Sequence, residues 1–271
     1  KNDKQISKLL AKMKLSNLSE IDKIKTIENY LKDNYELKPI RGIDGLESIE
    51  FALKNKFTNE EGFTRLFCKC LSIAGINHQL GCTSNRNECR FDKDFMTWQY
   101  LYEYVIYFPN IDKYMSPTSI QYRLGMIPDD VTNNDALFLK MIKVGTLVSA
   151  LPEIKTIPNT PYEKSATNQI AMIELNPTDL VAKVHYRHEL SGYEANYIQP
   201  FYDFLPEDKK KEVIESMLKL MNEDTKIVDF KVENTDHNIS PFDKSFNIDG
   251  NLEVKNLIEK AGDNIIFKLG E

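Results

Sequence analysis

Cysteine and histidine are the side chains in this sequence best suited to covalent or metal chemistry, and their spacing restricts what they can do. The four cysteines are Cys68, Cys70, Cys82 and Cys89, and the four histidines are His78, His185, His188 and His237. Cys68 and Cys70 form a C-x-C inside a helical pattern, where positions two apart do not share a face. A zinc site needs four converging ligands, which the nearby His78 cannot complete, so the pair reads as core thiols. Cys82 and Cys89 bracket the polar segment Thr83-Ser84-Asn85-Arg86-Asn87-Glu88, and the spacing admits either a disulfide across a hairpin tip or two free thiols. His185 and His188 make an H-x-x-H in a strand pattern, which sends the two rings to opposite faces and rules out a metal pair. His237, within Asn234-Thr235-Asp236-His237-Asn238, reads as a turn. No metal or cofactor is expected from these patterns.

The elements that would position these groups begin with helices. Ile6 to Met13 has apolar residues at helical spacing, and a second helix starts at Ser19-x-x-Asp22 and runs through Ile24, Ile27 and Leu31. A third is expected over Leu46 to Lys54. The fourth has Thr58-x-x-Glu61 as a capping box, a wide apolar stripe of Phe63, Leu66, Phe67, Cys70, Leu71 and Ile73, and Gly75 at its C-terminal end. Strand patterns follow at Ile76 to Thr83, Tyr100 to Phe108 and Tyr114-Met115. Helices first and antiparallel strands after make an α+β architecture. Leu151 to Ser165, rich in Pro, Thr and Asn, reads as a linker between a domain over 1–150 and a β-rich, sandwich-like domain over 151–271. The second domain has strand patterns at Gln169 to Leu175, Leu180 to Leu190, Lys226 to Val232, Leu252 to Leu257 and Ile265 to Leu269, with one helix from Pro206 to Met221.

Composition narrows the partners. With 35 basic and 41 acidic residues the formal charge is −6, which argues against a nucleic-acid ligand, whose phosphates demand a basic face. Lys209-Lys210-Lys211 sits among Glu207, Asp208 and Glu212 and reads as a solvated helix face. No stretch approaches the ~18 apolar residues of a membrane span. The chain opens on Lys1-Asn2-Asp3 rather than Met, as a processed or excised piece would.

Several segments together resemble a known family. Asn55-Lys56-Phe57-Thr58-Asn59-Glu60-Glu61-Gly62-Phe63, an apolar helix and then Ala74-Gly75-Ile76 resemble the nucleophile region of bacterial transglutaminase-like domains, of papain-type fold. Tyr30-Leu31-Lys32-Asp33-Asn34 resembles the end of that family's leading helix, and Tyr114-Met115-Ser116-Pro117-Thr118 resembles its Y-x-x-D-P-T segment. The likeness covers residues from about 20 to 145. In the family a Cys at a helix N-terminus, activated by the helix dipole and a His, works with an Asp that orients the His.

Carried over position by position, the resemblance puts Glu60 where the family has Cys, a residue near Glu103 where it has His, and Ser116 where it has Asp. Residues 79 to 184 contain no histidine, and Cys68 and Cys70 lie ~12 to 15 Å along the helix from its start. The expectation is therefore a catalytically inactive transglutaminase-like module with a binding or scaffold role towards a protein, peptide or glycan. Glu61, Trp98, Tyr100 and Tyr102 are the candidate binding side chains. One alternative is a hydrolase using Glu60 and Glu103 as a carboxylate pair. The other is a purely structural spacer, with Trp98, Tyr100 and Tyr102 filling the cleft. The resemblance further implies an exported bacterial protein, hence an extracytoplasmic location, in which a β-rich domain follows the transglutaminase-like one.

Overall fold

The computed structural model describes residues 2–39, 44–95, 97, 99–145, 147–176, 178, 180–219, 225–255 and 257–267. It is α+β, and it divides into two units, Lys1–Thr160 and Pro161–Glu271.

The first unit opens with α1 (Asn2–Lys12) and α2 (Glu20–Asn34), the latter capped by Ser19, whose hydroxyl accepts from the Asp22 N–H at 3.1 Å. After β1 (Glu36–Leu37) come α3 (Ile49–Asn55), β2 (Phe57–Thr58) and α4 (Glu60–Ile73). The N-cap of α4 is Asn59, which accepts from the Gly62 N–H at 2.9 Å, and not the expected Thr58. Thr58 is already committed. It pairs with Leu37 in the parallel β1–β2 ladder and donates its hydroxyl to the Leu46 carbonyl at 2.6 Å. That bond draws residues 46–47 so close to the first turn of α4 that a Cβ on Gly62 would stand 2.0 Å from Thr58 Oγ1 and 3.0 Å from Glu47 Cα. The helix ends as expected, with Gly75 at φ +73° just past Ala74.

Five antiparallel strands follow: β3 (Gln79–Thr83), β4 (Glu103–Phe108), β5 (Lys113–Met115), β6 (Asn134–Val144) and β7 (Leu147–Ile157), in the order β5-β4-β3-β6-β7. One face of the sheet packs Ile106, Phe108 and Met115 against Phe63, Leu66, Phe67 and Cys70 of α4 and against Ile24, Ile27 and Leu31 of α2. The other face holds Val105, Ala136 and Phe138 with Ile127 and Val131. Residues 151–157, expected as linker, are the second half of β7. The division between units falls after Thr160 rather than at 150. Pro152 masked the strand in the sequence, and it is tolerated because β7 is an edge strand.

In the second unit β8 (Thr167–Asn176), β9 (Val181–Leu190), β10 (Lys226–Glu233) and β11 (Phe246–Lys255) form one antiparallel sheet, ordered β10-β11-β9-β8. Between β9 and β10 lie the short α5 (Gln199–Tyr202) and α6 (Glu207–Leu218). Ile214 and Leu218 of α6 cover Val184, Ile248 and Leu252, and Leu218 sits over Gly250, where a Cβ would meet it at 3.0 Å. The expected sandwich is instead a single sheet with helical cover on one face, and a separate ribbon of β12 (Ile258–Ala261) and β13 (Asn264–Phe267). The alternation in β9 buries His188 and leaves His185 on the opposite face, as the H-x-x-H spacing requires.

Candidate functional site

The first turn of α4 and the start of β4 bring together the groups that the sequence singles out. Glu60 and Glu61 open α4, where the helix dipole favours negative charge, and both are exposed. Glu61 is ion-paired with Arg65 one turn on. Glu103 is the first residue of β4, opposite Thr83, and is half-buried.

Burial first, then the charges of Asp130, Glu60 and Glu88, push the Glu103 carboxyl up to about 7. Glu60 and Glu103 thus share one electrostatic field. Asp130, in a 3-10 turn over Asp129–Val131, is itself held above the usual carboxylate range, chiefly by burial and then by Asp129. Its Oδ2 accepts from Asn85 Nδ2 at 2.7 Å, while its Oδ1 is buried without a hydrogen-bond partner. Glu88 accepts from the Tyr102 hydroxyl at 2.5 Å, and that bond is the main reason the phenol is pushed up to about 12. Among the described residues no cation and no hydrogen-bond donor is placed against Glu103. The four carboxylates Glu60, Glu88, Glu103 and Asp130 do not form a group of three whose ligand atoms lie within 4.8 Å of one another. They do not converge on a point.

The strand register separates Glu103 from its neighbour. Odd-numbered positions of β4 belong with Val105, on the face away from the helices, and even-numbered ones with Ile106 and Phe108, on the face towards α4. Tyr104 is therefore the β4 residue directed at the first turn of α4. Its phenol is raised by burial and then by the charges of Cys82, Glu61 and Glu60. Tyr104, Glu88 and Asp130 were not singled out in the sequence. Strand parity could have found Tyr104; nothing local could have found Glu88 or Asp130, which arrive from loops.

Ser116 follows β5 and by continuation of the register lies level with Val105. It is 1% exposed and donates its hydroxyl to Ser119 Oγ at 3.0 Å, a local bond that orients no imidazole. Tyr100 stays within its own loop, stacked 6.1 Å from Phe95 and bonded to the Asp92 carbonyl at 3.1 Å. Tyr102 is 41% exposed. Trp98 lies outside the described residues.

Three of the four thiols are withdrawn from chemistry by burial. All four cysteines are free. Burial pushes Cys68 and Cys70 up to about 12 and raises Cys82, so none of these three presents a thiolate near neutral pH. His78 precedes β3 at the end where Gln79 pairs with Tyr107, whereas Glu103 pairs with Thr83 at the other end. Its Nδ1 lies 2.9 Å from the Ile76 carbonyl, and burial holds its pKa below the usual value. What these carboxylates can do is attract a cation, or exchange a proton at Glu103 near neutrality. Comparison of the chain with protein-family models, curated proteins and solved structures returns no match.

Proposed function

We propose that the chain is a non-catalytic, transglutaminase-like module of an exported bacterial protein, and that it binds a cationic peptide at the carboxylates around Glu103. The observation that carries the binding role is the excess of carboxylates there, which Arg86 offsets only at Asp130. Glu103 lies among three other carboxylates, and Asp130 keeps a buried acceptor atom without a donor. A lysine or arginine side chain would supply the missing charge and donate to Glu103. Carboxylates that do not converge on a point suit such an extended group better than a single small ion. The family reading is supported by the order of elements, a nucleophile-type helix followed by β3, β4 and β5 paired in succession. Its non-catalytic character is supported by the buried, protonated thiols of Cys68, Cys70 and Cys82 and by Glu60, a residue near Glu103 and Ser116 where Cys, His and Asp would stand.

The test is calorimetric titration with a short lysine- and arginine-bearing peptide, using an acidic peptide as control. Binding should tighten from pH 6 to pH 8 as Glu103 ionises, and weaken roughly tenfold, about 1.4 kcal/mol, in Glu103→Gln and in Asp130→Asn. Equal affinity in all three proteins would refute the assignment.

A second reading has its own support. A carboxyl titrating near 7 beside a second carboxylate is suited to general acid catalysis, so hydrolysis through Glu103 and Glu60 is the enzymatic alternative. It requires turnover of a peptide or glycan that disappears in Glu60→Gln and Glu103→Gln while circular dichroism is unchanged.

A further inference from the structure

A second cluster of ligating side chains lies in the trailing unit. Asp203 is the C-cap of α5, and Asp236 and His237 lie in the segment that follows β10. Among the described residues these three form the one group of His, Cys, Asp or Glu side chains whose ligand atoms all lie within 4.8 Å of one another. His237 Nδ1 stands 3.7 Å from Asp203 Oδ2 and 3.9 Å from Asp236 Oδ1. Both separations exceed the roughly 2.7 to 3.2 Å of an N–H···O hydrogen bond. They are close to the spacing of atoms around a shared ion. With metal–ligand bonds of about 2.1 Å and a tetrahedral angle, neighbouring donor atoms lie roughly 3.4 Å apart.

The two segments are tied together. Gln199, fully buried in α5, donates its Nε2 to the Asn234 carbonyl at 2.8 Å, linking the helix that bears Asp203 to the turn that bears the other two ligands. Asn234 takes φ +60° and donates to the Ser245 carbonyl at 2.7 Å. The Asn238 N–H donates to Asp236 Oδ1 at 2.9 Å, which fixes that carboxylate. The Asn238 carboxamide also lies 3.1 Å from His237 Nε2. Made by the amide Nδ2, that contact holds the ring from its far edge. Phe204 packs on the imidazole at 4.7 Å between ring centroids and walls one side.

We propose that Asp203, Asp236 and His237 form a binding site for a first-row divalent cation, with Zn²⁺ the best match and one coordination position open to water. The imidazole nitrogen selects against the hard cations Ca²⁺ and Mg²⁺, which prefer all-oxygen sets, and two carboxylates beside one imidazole suit Zn²⁺.

The experiment uses the full chain, untagged and stripped with chelator, titrated with Zn²⁺ in a calorimeter and with Co²⁺ by visible absorption. One equivalent of Zn²⁺ should bind to the parent chain, to Cys89→Ser, which removes the exposed thiol, and to His185→Ala. Affinity should fall at least tenfold in His237→Ala and in Asp203→Asn, the Co²⁺ bands should vanish in His237→Ala, and Ca²⁺ should give no heat. Unchanged circular dichroism of the metal-free variants separates loss of a ligand from loss of fold. Should one variant not fold, the other and Asp236→Asn carry the same expectation. Absence of Zn²⁺ binding, binding that survives these ligand substitutions, or binding that disappears with Cys89→Ser or His185→Ala overturns the assignment.

Discussion

Two carboxylates of the first unit, Glu28 and Glu103, are both withdrawn from water but are treated in opposite ways. Glu28 is 0% exposed, and both of its oxygens are engaged: Lys32 Nζ stands 2.8 Å from one, and the Leu124 N–H donates to the other at 2.8 Å. Lys32 also donates to the Tyr122 carbonyl at 2.7 Å, so the pair fastens α2 to the segment after β5. Burial, partly offset by Glu28, brings the Lys32 ammonium down to about 8, still charged at neutral pH. Glu103 has like charges for neighbours and is pushed up to about 7. A buried charge supplied with every partner holds the fold together. A half-buried charge left among its own kind keeps its attraction for something outside the chain.

The largest expected effect tests the first half of that contrast. Removing one member of the buried pair strands the other, so Lys32→Ala should lose ~3 to 5 kcal/mol in chemical denaturation. The double change Glu28→Met with Lys32→Leu, which removes both charges at similar volume, should recover most of it. A single-variant loss below ~1 kcal/mol would show that the pair is not structural.

Glu103→Gln should act in the opposite direction. Because the folded state holds this proton more tightly than the unfolded chain, the carboxyl costs nothing below about 4.5, and its penalty grows as pH rises through about 7. The amide should therefore stabilise the protein by ~1 to 2 kcal/mol at pH 8, after allowance for solvent screening of a half-buried group, and leave stability unchanged at pH 4. Denaturation at the two pH values measures the difference. Destabilisation at pH 8 would place Glu103 with Glu28, as a structural residue.

A smaller pH effect is expected in the second unit. His188 is 4% exposed, both ring nitrogens are buried without hydrogen-bond partners, and burial holds its pKa below the usual value. The unfolded chain gains a proton near 6.5 that the folded one resists, so stability should fall as pH drops through that value, by about 1 kcal/mol for each unit of depression. The slope should vanish in His188→Phe, read by amide exchange in β9. An unchanged slope would mean that the ring is accessible to water.

Much of this framework was legible because it is local. The Ser19 cap, the stripe of α4, Gly75 and the opposed rings of His185 and His188 all follow from spacing within a turn or a strand. What was missed depends on partners distant in the chain. Thr58 looks like an N-cap until β1 takes it into a ladder, and residues 151–157 look like a linker because Pro152 is acceptable only on an edge strand. The acidic group around Glu103 was half visible. Glu60 and Glu103 stood out at family positions, but Glu88 and Asp130 join them only through loops folding back. Asp203 lies 33 residues before Asp236, so no motif could pair them.

The smallest expected effect probes whether Glu60 and Glu103 belong to one site. Glu60→Gln removes a charge that the α4 dipole favours, a loss of ~0.3 to 1 kcal/mol, but it also relieves Glu103 of one of its three listening carboxylate neighbours, so the two effects partly cancel. Net stability at pH 8 should change by less than ~1 kcal/mol. The informative readout is the Glu103 titration followed by carbon-detected NMR, which should move down towards the usual carboxylate range in Glu60→Gln. Burial, the largest cause of the shift, is untouched by the substitution, so Glu103 should still titrate above a solvated glutamate. A midpoint that does not move would mean that solvent screens the two groups from each other, and the carboxylate-pair hydrolase would then lose its basis while the cation-binding role, which needs only Glu103 and Asp130, would not.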